Sequence, residues 1–383
     1  MTKAEKSRIQ KEIVDSIEIG SSGRLLLAPR VGKTKLMIDI IKRDKPTSIL
    51  WITPSAELAD KDNVEDGIFT EFVKWKALRY IKKLTTTTWK SLSKIKGHFD
   101  LIIGDEEQFA TENNCFSLLD NTLSFDNLLF MTGTSTKHEH KKELYNKLNL
   151  NVLVDISINK AVDMGLLSNY SIKVIGVDLG KEKNIKAGNK ANPFLTTEEA
   201  QYKWLTKSLA EAIDEGRGDV QYKVLSRLRA IKNSPSKENA ALHLIKVLEG
   251  RKLIFSSTIK QASVLSNNTY HSKTDNKDLI SFKKGDVDDI ALVNAGGTGH
   301  TYKAIDHLII VQADSDKNGL TSQKICRTLL DQKNYEATVW IICLIGSKDE
   351  TWIDSTLESF DESKIEYIRF KDFKNDKKKI NGN

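Results

Sequence analysis

The chain has 383 residues, 39% hydrophobic and 29% charged, with a formal net charge of +7. That length suffices for two domains of ordinary size, and the balance is that of a soluble globular chain. No apolar run approaches the ~18 residues of a bilayer-spanning helix, so no membrane partner is expected, and the modest positive charge permits a polyanionic partner without requiring one.

Met1 to Ile13 is charged and lacks the apolar core of a secretory signal. Beyond it, short apolar runs alternate with amphipathic segments. Arg24–Ala28, Ser48–Thr53, Leu101–Gly104 and Asn127–Thr132 read as strands, with helices over Lys33–Arg43 and Ala56–Asp66. This alternation predicts a parallel sheet with right-handed crossovers. After about Asp155 come a helical patch (Lys160–Met164), a strand (Ser171–Val177) and a polar stretch from Gly180 to Pro193 that reads as a loop or insert. Thr197 to Leu248 reads as helix, broken near Gly216–Gly218 and at Ser234–Pro235. Strands resume at Lys252–Ser256, Ile290–Asn294, His307–Gln312 and Thr338–Ile345, and the tail from Lys371 reads as frayed. Cys115, Cys326 and Cys343, odd in number and widely spaced, argue against a disulfide framework and for a reducing cytoplasm. The expected fold is α/β: two tandem parallel-sheet lobes, residues 1–155 and 156–383, with 197–248 as a helical insertion or bridge.

Two places carry recognisable chemistry. Leu25–Ala28 runs into Pro29-Arg30-Val31-Gly32-Lys33-Thr34 and then a helix. A strand-to-helix turn aims backbone N–H groups and the positive helix end at a phosphate. Gly32 allows close approach, Lys33 reaches the β and γ phosphates, and the Thr34 hydroxyl suits Mg²⁺. The full phosphate-loop spacing wants glycine at position 27, where this chain has Leu27. Second, Asp100–Gly104 is a buried-strand pattern ending in Asp105-Glu106-Glu107-Gln108. Carboxylates at a strand's carboxyl end sit where open α/β sheets bind ligands. Asp105 would hold the metal and Glu106 would take a proton from the attacking water. A solvated acidic loop is the plain alternative.

Taken in order, these elements resemble motifs I and II of superfamily 2 helicases, and further short matches follow across nearly the whole chain. Ser7-Arg8-Ile9-Gln10 resembles the upstream glutamine motif, which implies Gln10 against adenine. Trp51-Ile52-Thr53-Pro54-Ser55 resembles motif Ia, and Thr87-Thr88-Trp89 a neighbouring strand-contacting motif. Met131-Thr132-Gly133-Thr134 resembles motif III, Leu253–Ser257 motif IV, Gly297-Thr298-Gly299-His300-Thr301 motif V, and Gln323–Arg327 motif VI. Small phage-type helicases of the UvsW group are the nearest look.

The resemblance implies two RecA-like lobes of the P-loop NTPase type, and ATP with Mg²⁺ bound by Gln10, Arg30, Gly32, Lys33, Thr34, Thr301, Gln323 and Arg327. Asp105, Glu106, Lys33 and Arg327 would carry catalysis, with Thr34 and Asp105 on the metal. Pro54, Ser55, Thr88, Ser257, Gly297 and Thr298 would grip nucleic acid, and Thr132 and Thr134 would couple the two activities. The implied function is an ATP-driven helicase or translocase, acting most plausibly on single-stranded DNA, as a monomer in the cytoplasm (the host's, if the chain is viral).

Several residues keep ordinary alternatives. Ser55 serves equally as a helix N-cap, the Thr85–Trp89 run equally as a core strand, and His271 reads as a surface histidine. The family commonly has a second arginine at the position of Leu330, and a glycine at that of Cys326. Arg30, Arg227 or Arg229 could supply a substitute charge. A double-strand translocase or RNA-directed helicase with the same ATP chemistry, and a weakly hydrolysing clamp on nucleic acid or protein, stay open as alternatives.

Overall fold

The computed structural model describes residues 3–63, 67–120, 122–133, 139–188, 191–293, 302, 305–313, 320–326, 328–329 and 335–375. The chain divides into two compact units: Met1–Ser168 with Lys317–Tyr335, and Asn169–Asp316 with Glu336–Asn383.

The first unit begins with α1 (Lys3–Asp15), β1 (Gly23–Leu27), α2 (Lys33–Asp44), β2 (Ser48–Thr53), the one-turn α3 (Ala56–Ala59) and α4 (Ile68–Lys74). It continues through β3 (Lys83–Thr88), β4 (Gly97–Asp105), α5 (Glu112–Leu119), β5 (Leu123–Thr132), α6 (Glu139–Lys147), β6 (Val152–Ile156) and α7 (Ile158–Asp163). Its six strands form one parallel sheet in the order β3-β2-β4-β5-β1-β6. In β2, Ile49 to Thr53 are all buried, the near-continuous apolar run that a strand covered on both faces requires. Helix α2 buries Leu36, Met37, Ile40 and Ile41 as one stripe, and carries Lys42 and Arg43 in its last turn, where the helix dipole favours cations. This unit runs on to Ser168, past the boundary expected near Asp155; β6, paired with β1, is the edge strand of its sheet, and α7 follows within the same unit.

The second unit contains β7 (Asn169–Val177), an antiparallel hairpin of β8 (Ile185–Gly188) and β9 (Pro193–Thr196), and helices α8 (Glu198–Asp214), α9 (Val220–Lys232) and α10 (Pro235–Val247). Then come β10 (Lys252–Ser256), α11 (Ile259–Leu265), β11 (Thr269–Tyr270), α12 (Lys277–Lys284), β12 (Asp289–Val293) and β13 (His307–Ile310). Helix α13 (Leu320–Cys326) groups with the first unit. The chain returns through β14 (Glu336–Leu344), α14 (Lys348–Leu357), β15 (Ile365–Arg369) and α15 (Phe370–Asn375). Seven parallel strands form the sheet, in the order β11-β12-β10-β13-β14-β7-β15. The fold is therefore two parallel sheets with flanking helices, each resembling a RecA-like lobe.

A buried polar cluster sits among the packed side chains of the second unit. Lys237 on α10 is 1% exposed, and its Nζ donates to Asp349 Oδ2 at 2.6 Å and to Gln312 Oε1 at 3.1 Å. Asp349 also accepts from the Leu344 backbone N–H at 2.9 Å, so the carboxylate is matched by a cation and by a second donor, as burial of a charge demands.

Three sequence expectations change. The Ala56–Asp66 helix stops at Ala59, and residues 64–66 lie outside the described residues. The Gly180–Pro193 stretch is not all loop, since it holds β8 and the first residue of β9. His271 is buried at 7% exposure, and its Nδ1 accepts from the Lys273 N–H at 3.2 Å. All three cysteines are buried and unbonded to one another. Among the described residues, no helix is long and apolar enough to cross a membrane.

Candidate active site

The strand order β4-β5-β1 decides what can meet at the carboxyl end of the first sheet. Asp105 closes β4, Thr132 closes β5, and the loop to α2 leaves β1 beside them, with Asp105 paired to Met131 and Thr132 to Leu26. Residues more than seventy positions apart are thereby brought together where open sheets place ligands.

The loop from Ala28 to Gly32 turns tightly. Arg30 has φ 70° and Gly32 φ 95°, both left-handed. Only glycine adopts that conformation at little cost, and a Cβ at position 32 would also press on the Gln10 amide. Gln10, buried on α1, donates from Nε2 to the Val31 carbonyl at 2.9 Å and so braces the loop from outside. Gly32 is the N-cap of α2, and no side chain caps that end. The helix therefore points its first N–H groups and its positive dipole end past Lys33 and Thr34.

Lys33 Nζ forms an ion pair with Glu106 Oε1, the two side chains being 12% and 15% exposed. The other carboxylate oxygen of Glu106 accepts from Gln108 Nε2 at 2.7 Å and from Gln323 Nε2 at 3.2 Å. Gln108 Oε1 in turn accepts from the buried Thr132 hydroxyl at 2.7 Å. One continuous path thus runs Lys33–Glu106–Gln108–Thr132 across three neighbouring segments, with Gln323 of α13 joining at the carboxylate. Asp105 lies beneath this path, 8% exposed. Burial first, then the neighbouring Glu106 charge, push its carboxyl up to about 7, and Lys33 opposes them.

Glu106 adopts φ 49°, ψ 59°, and this left-handed residue separates the two glutamates that follow the strand. Glu106 faces Lys33, whereas Glu107 is 1% exposed and accepts from the Tyr145 hydroxyl of α6. Lys141 of the same helix donates to the Glu107 carbonyl at 2.9 Å. Burial raises the Glu107 carboxyl above the ordinary range, against the Tyr145 hydrogen bond and the Lys141 charge. Glu107, Gln108, Lys141 and Tyr145 were not singled out as site residues in the sequence. Only a pairing of residues 108 with 132 and 107 with 145 shows them, and local pattern holds no such signal.

The remaining candidates are distributed as follows. Ser55 Oγ accepts from Leu58 N at 3.4 Å as the N-cap of α3, with Pro54 just before it. Thr88 ends β3, and Trp89 is buried with Nε1 donating to the Asp105 carbonyl at 2.8 Å, so its ring supports the Asp105–Gln108 turn and is not an open stacking face. In the second unit, Ser257 follows β10. Its backbone N–H donates to Gln261 Oε1 at 2.9 Å, and its buried hydroxyl has no hydrogen-bond partner. Thr134, Gly297, Thr298, Thr301, Arg327 and Leu330 lie outside the described residues.

Fold and site together define an α/β chain of two parallel-sheet units, each resembling a RecA-like lobe. The chain is similar to the ATP-dependent Type ISP restriction-modification enzyme LlaBIII bound to DNA, with TM-score 0.59, 13% identity and 96% of this chain covered. It spans about a third of that enzyme's length, 31%. It is similar to the Hef helicase domain of Pyrococcus furiosus, with TM-score 0.52, 12% identity, and 92% and 97% of the two chains covered. Dbp5 of S. cerevisiae, bound to RNA and ADP BeF3, matches with TM-score 0.55 and 10% identity over 96% of this chain and 91% of that one. The sequence matches no family model and no curated protein.

Proposed function

We propose that the chain binds ATP with Mg²⁺ in the first unit and couples its hydrolysis to movement along a nucleic-acid strand. The observation that carries this reading is the Lys33–Glu106–Gln108–Thr132 path at the carboxyl ends of β1, β4 and β5. Lys33 and the uncapped end of α2 fit the charge of a triphosphate. Gln10, held against the Val31–Gly32 turn, fits a purine edge. Asp105 and Thr34 fit a divalent cation: Asp105 is buried beside the Glu106 carboxylate, and a metal would add to the counter-charge that Lys33 supplies there. Bound Mg²⁺ would neutralise phosphate charge and polarise the transferred group.

Glu106 is the proton acceptor for the attacking water. Lys33 leaves it when phosphate arrives, and Gln108 keeps the carboxylate oriented. Any shift of Glu106 on turnover is transmitted through Gln108 to Thr132, which is the coupling role assigned to that residue. Arg30 and Gln323 complete the nucleotide contacts, and Arg327 and Thr301 are assigned from the motif resemblance. Pro54, Ser55, Thr88, Ser257, Gly297 and Thr298 are assigned to the nucleic-acid backbone. The unpartnered, buried Ser257 hydroxyl supports that assignment. Single-stranded DNA is the substrate proposed, in a phage-type (UvsW-like) setting. Leu330, standing where a second arginine is usual, favours as the second reading a clamp that binds ATP and hydrolyses it slowly.

Steady-state ATP turnover titrated in parallel with single-stranded DNA, duplex DNA and RNA tests the proposal. The motor reading requires stimulation by at least one of them. Tight ATP binding with no stimulated turnover selects the clamp, and no ATP binding at all refutes both.

A further inference from the structure

Helices α8 and α9 pack on one another in the second unit, yet α9 is fully buried at only one position, Ile231. A 13-residue helix in a globular unit ordinarily buries a continuous stripe. Here the large side chains face outward instead: Trp204 on α8 is 61% exposed and Tyr222 on α9 is 63% exposed, with Leu225 and Val224 beside it at 46% and 42%. Tyr222, Leu225 and Arg229 recur at helical spacing along one line of α9. Lys223 links the two helices, its Nζ 5.7 Å from the centre of the Trp204 ring. Helix α9 carries Lys223, Arg227, Arg229 and Lys232 and no acidic residue. Among the described residues, Arg227 and Arg229 have no ion-pair or hydrogen-bond partner.

Lys223 pairs with Asp219 at 3.7 Å, which leaves exposed aromatic rings flanked by Arg227 and Arg229, and these match one chemistry well: unpaired bases, whose faces stack on the rings, joined by phosphates that the arginines neutralise. A duplex offers phosphates but keeps its base faces stacked inside. A second copy of the same surface would oppose cationic α9 to cationic α9 across a two-fold axis. We infer that the α8–α9 face is a second binding surface for single-stranded nucleic acid, with Trp204 and Tyr222 stacking on bases and Arg227 and Arg229 holding the backbone. The inference rests on the nucleic-acid reading above and deepens it, since none of these four residues belongs to a helicase-like motif.

The test is fluorescence anisotropy of nucleotide-free protein with end-labelled single-stranded DNA, the same sequence as RNA, and a blunt duplex. It compares the parent with Trp204→Ala/Tyr222→Ala and with Arg227→Gln/Arg229→Gln. All four side chains lie at least partly at the surface, and circular dichroism with thermal melting verifies that each variant is folded. Removing both rings should weaken single-strand binding by at least ~10-fold, leave duplex binding within about twofold, and leave binding of a fluorescent ATP analogue unchanged. Removing both arginines should lower the salt slope for the single strand by about 1.4, two phosphates' worth. Single-strand affinity equal to the parent's in both folded variants overturns the inference while the motor reading stands. Equal losses on duplex and single strand overturn it as well, because stacking is then not the interaction. A concentration-dependent dimer that only the variants lose assigns the face to a second copy instead. A parent that binds none of the three nucleic acids refutes the motor reading, and the inference with it.

Discussion

Replacing Glu106 by glutamine separates ground-state binding from chemistry in a way the geometry makes quantitative. The glutamate spends one oxygen on Lys33 and the other on Gln108 and Gln323. Glutamine is isosteric, and its remaining carbonyl oxygen still accepts from Gln108, so the turn keeps its shape. What disappears is the negative charge facing Lys33 and, with it, the proposed proton acceptor. An ion pair 12–15% exposed lies between surface and buried cases and contributes about 1–2 kcal/mol. That amount no longer has to be given up when Lys33 moves to phosphate, so ATP affinity should tighten by roughly 5- to 30-fold. Loss of a general base lowers turnover by about 10²–10⁴. A fluorescent ATP analogue titrated with Mg²⁺ reads the first effect, and phosphate release under saturating nucleic acid reads the second. The reasoning fails if Glu106→Gln hydrolyses ATP within about threefold of the parent, or if it binds ATP more weakly.

Lys33→Ala should cut turnover by ~10² or more, since it removes the fixed charge on the phosphates, and near-normal hydrolysis would remove Lys33 from the site. Lys237→Met leaves Asp349 buried without its cation and should cost about 3–5 kcal/mol, while Lys237→Met/Asp349→Leu should recover most of that in urea unfolding; a double variant weaker than the single one contradicts it. Tyr145→Phe removes the side-chain donor to Glu107, whose Oε1 is already unpartnered, and should destabilise the protein by about 1–3 kcal/mol in thermal melts, with no loss if the hydroxyl is idle. Asp100 accepts from the Thr47 and Ser48 hydroxyls at 2.8 and 2.6 Å, and these bonds hold its carboxyl at about 2. A depressed folded value stabilises above the unfolded pKa and is lost as pH falls through the folded one. Asp100→Asn should therefore be less stable than the parent at pH 7 by about 1 kcal/mol, screened by solvent, with the difference vanishing between pH 4 and 2.

The strands that could be read in advance are those whose burial is continuous. Ser48–Thr53 and Lys252–Ser256 were located at both ends, because SILWIT and KLIFS are bounded by polar residues and both faces of each strand are covered. The helix over Ala56–Asp66 failed for a local reason. Asp60 Oδ1 accepts from the Asp62 N–H at 3.0 Å, and Asn63 Nδ2 donates to the Glu57 carbonyl at 2.9 Å, so side chains take over the hydrogen bonding that a second turn would have supplied. The β8–β9 hairpin left no alternation to read. None of the residues of its two strands is buried, and the strands are joined by cross-strand pairing.

At the site, a short pattern marked the groups that touch charge but not the groups that hold them. Gly32-Lys33-Thr34 and Asp105-Glu106 are local, and so were legible. The acidic run hid its own division of labour: a left-handed residue at Glu106 sends one glutamate to Lys33 and the next into the core, and φ at a non-glycine is not written in composition. The backbone of the turn is fixed by two long-range donors, one of which is itself held by a third. Trp89 Nε1 donates to the Asp105 carbonyl, Asn114 Nδ2 to the Trp89 carbonyl, and Lys141 Nζ to the Glu107 carbonyl. Gly104 has no room for a Cβ between Phe130 and Trp89, which closes the same support. With its backbone anchored through Trp89 and through Lys141 of α6, the turn presents the Glu106 carboxylate and the Gln108 amide hydrogen-bonded to each other. Those are two groups on the path from Lys33 to Thr132, so on the proposed mechanism a displacement of Lys33 has a hydrogen-bonded route to β5 that runs from an anchored backbone.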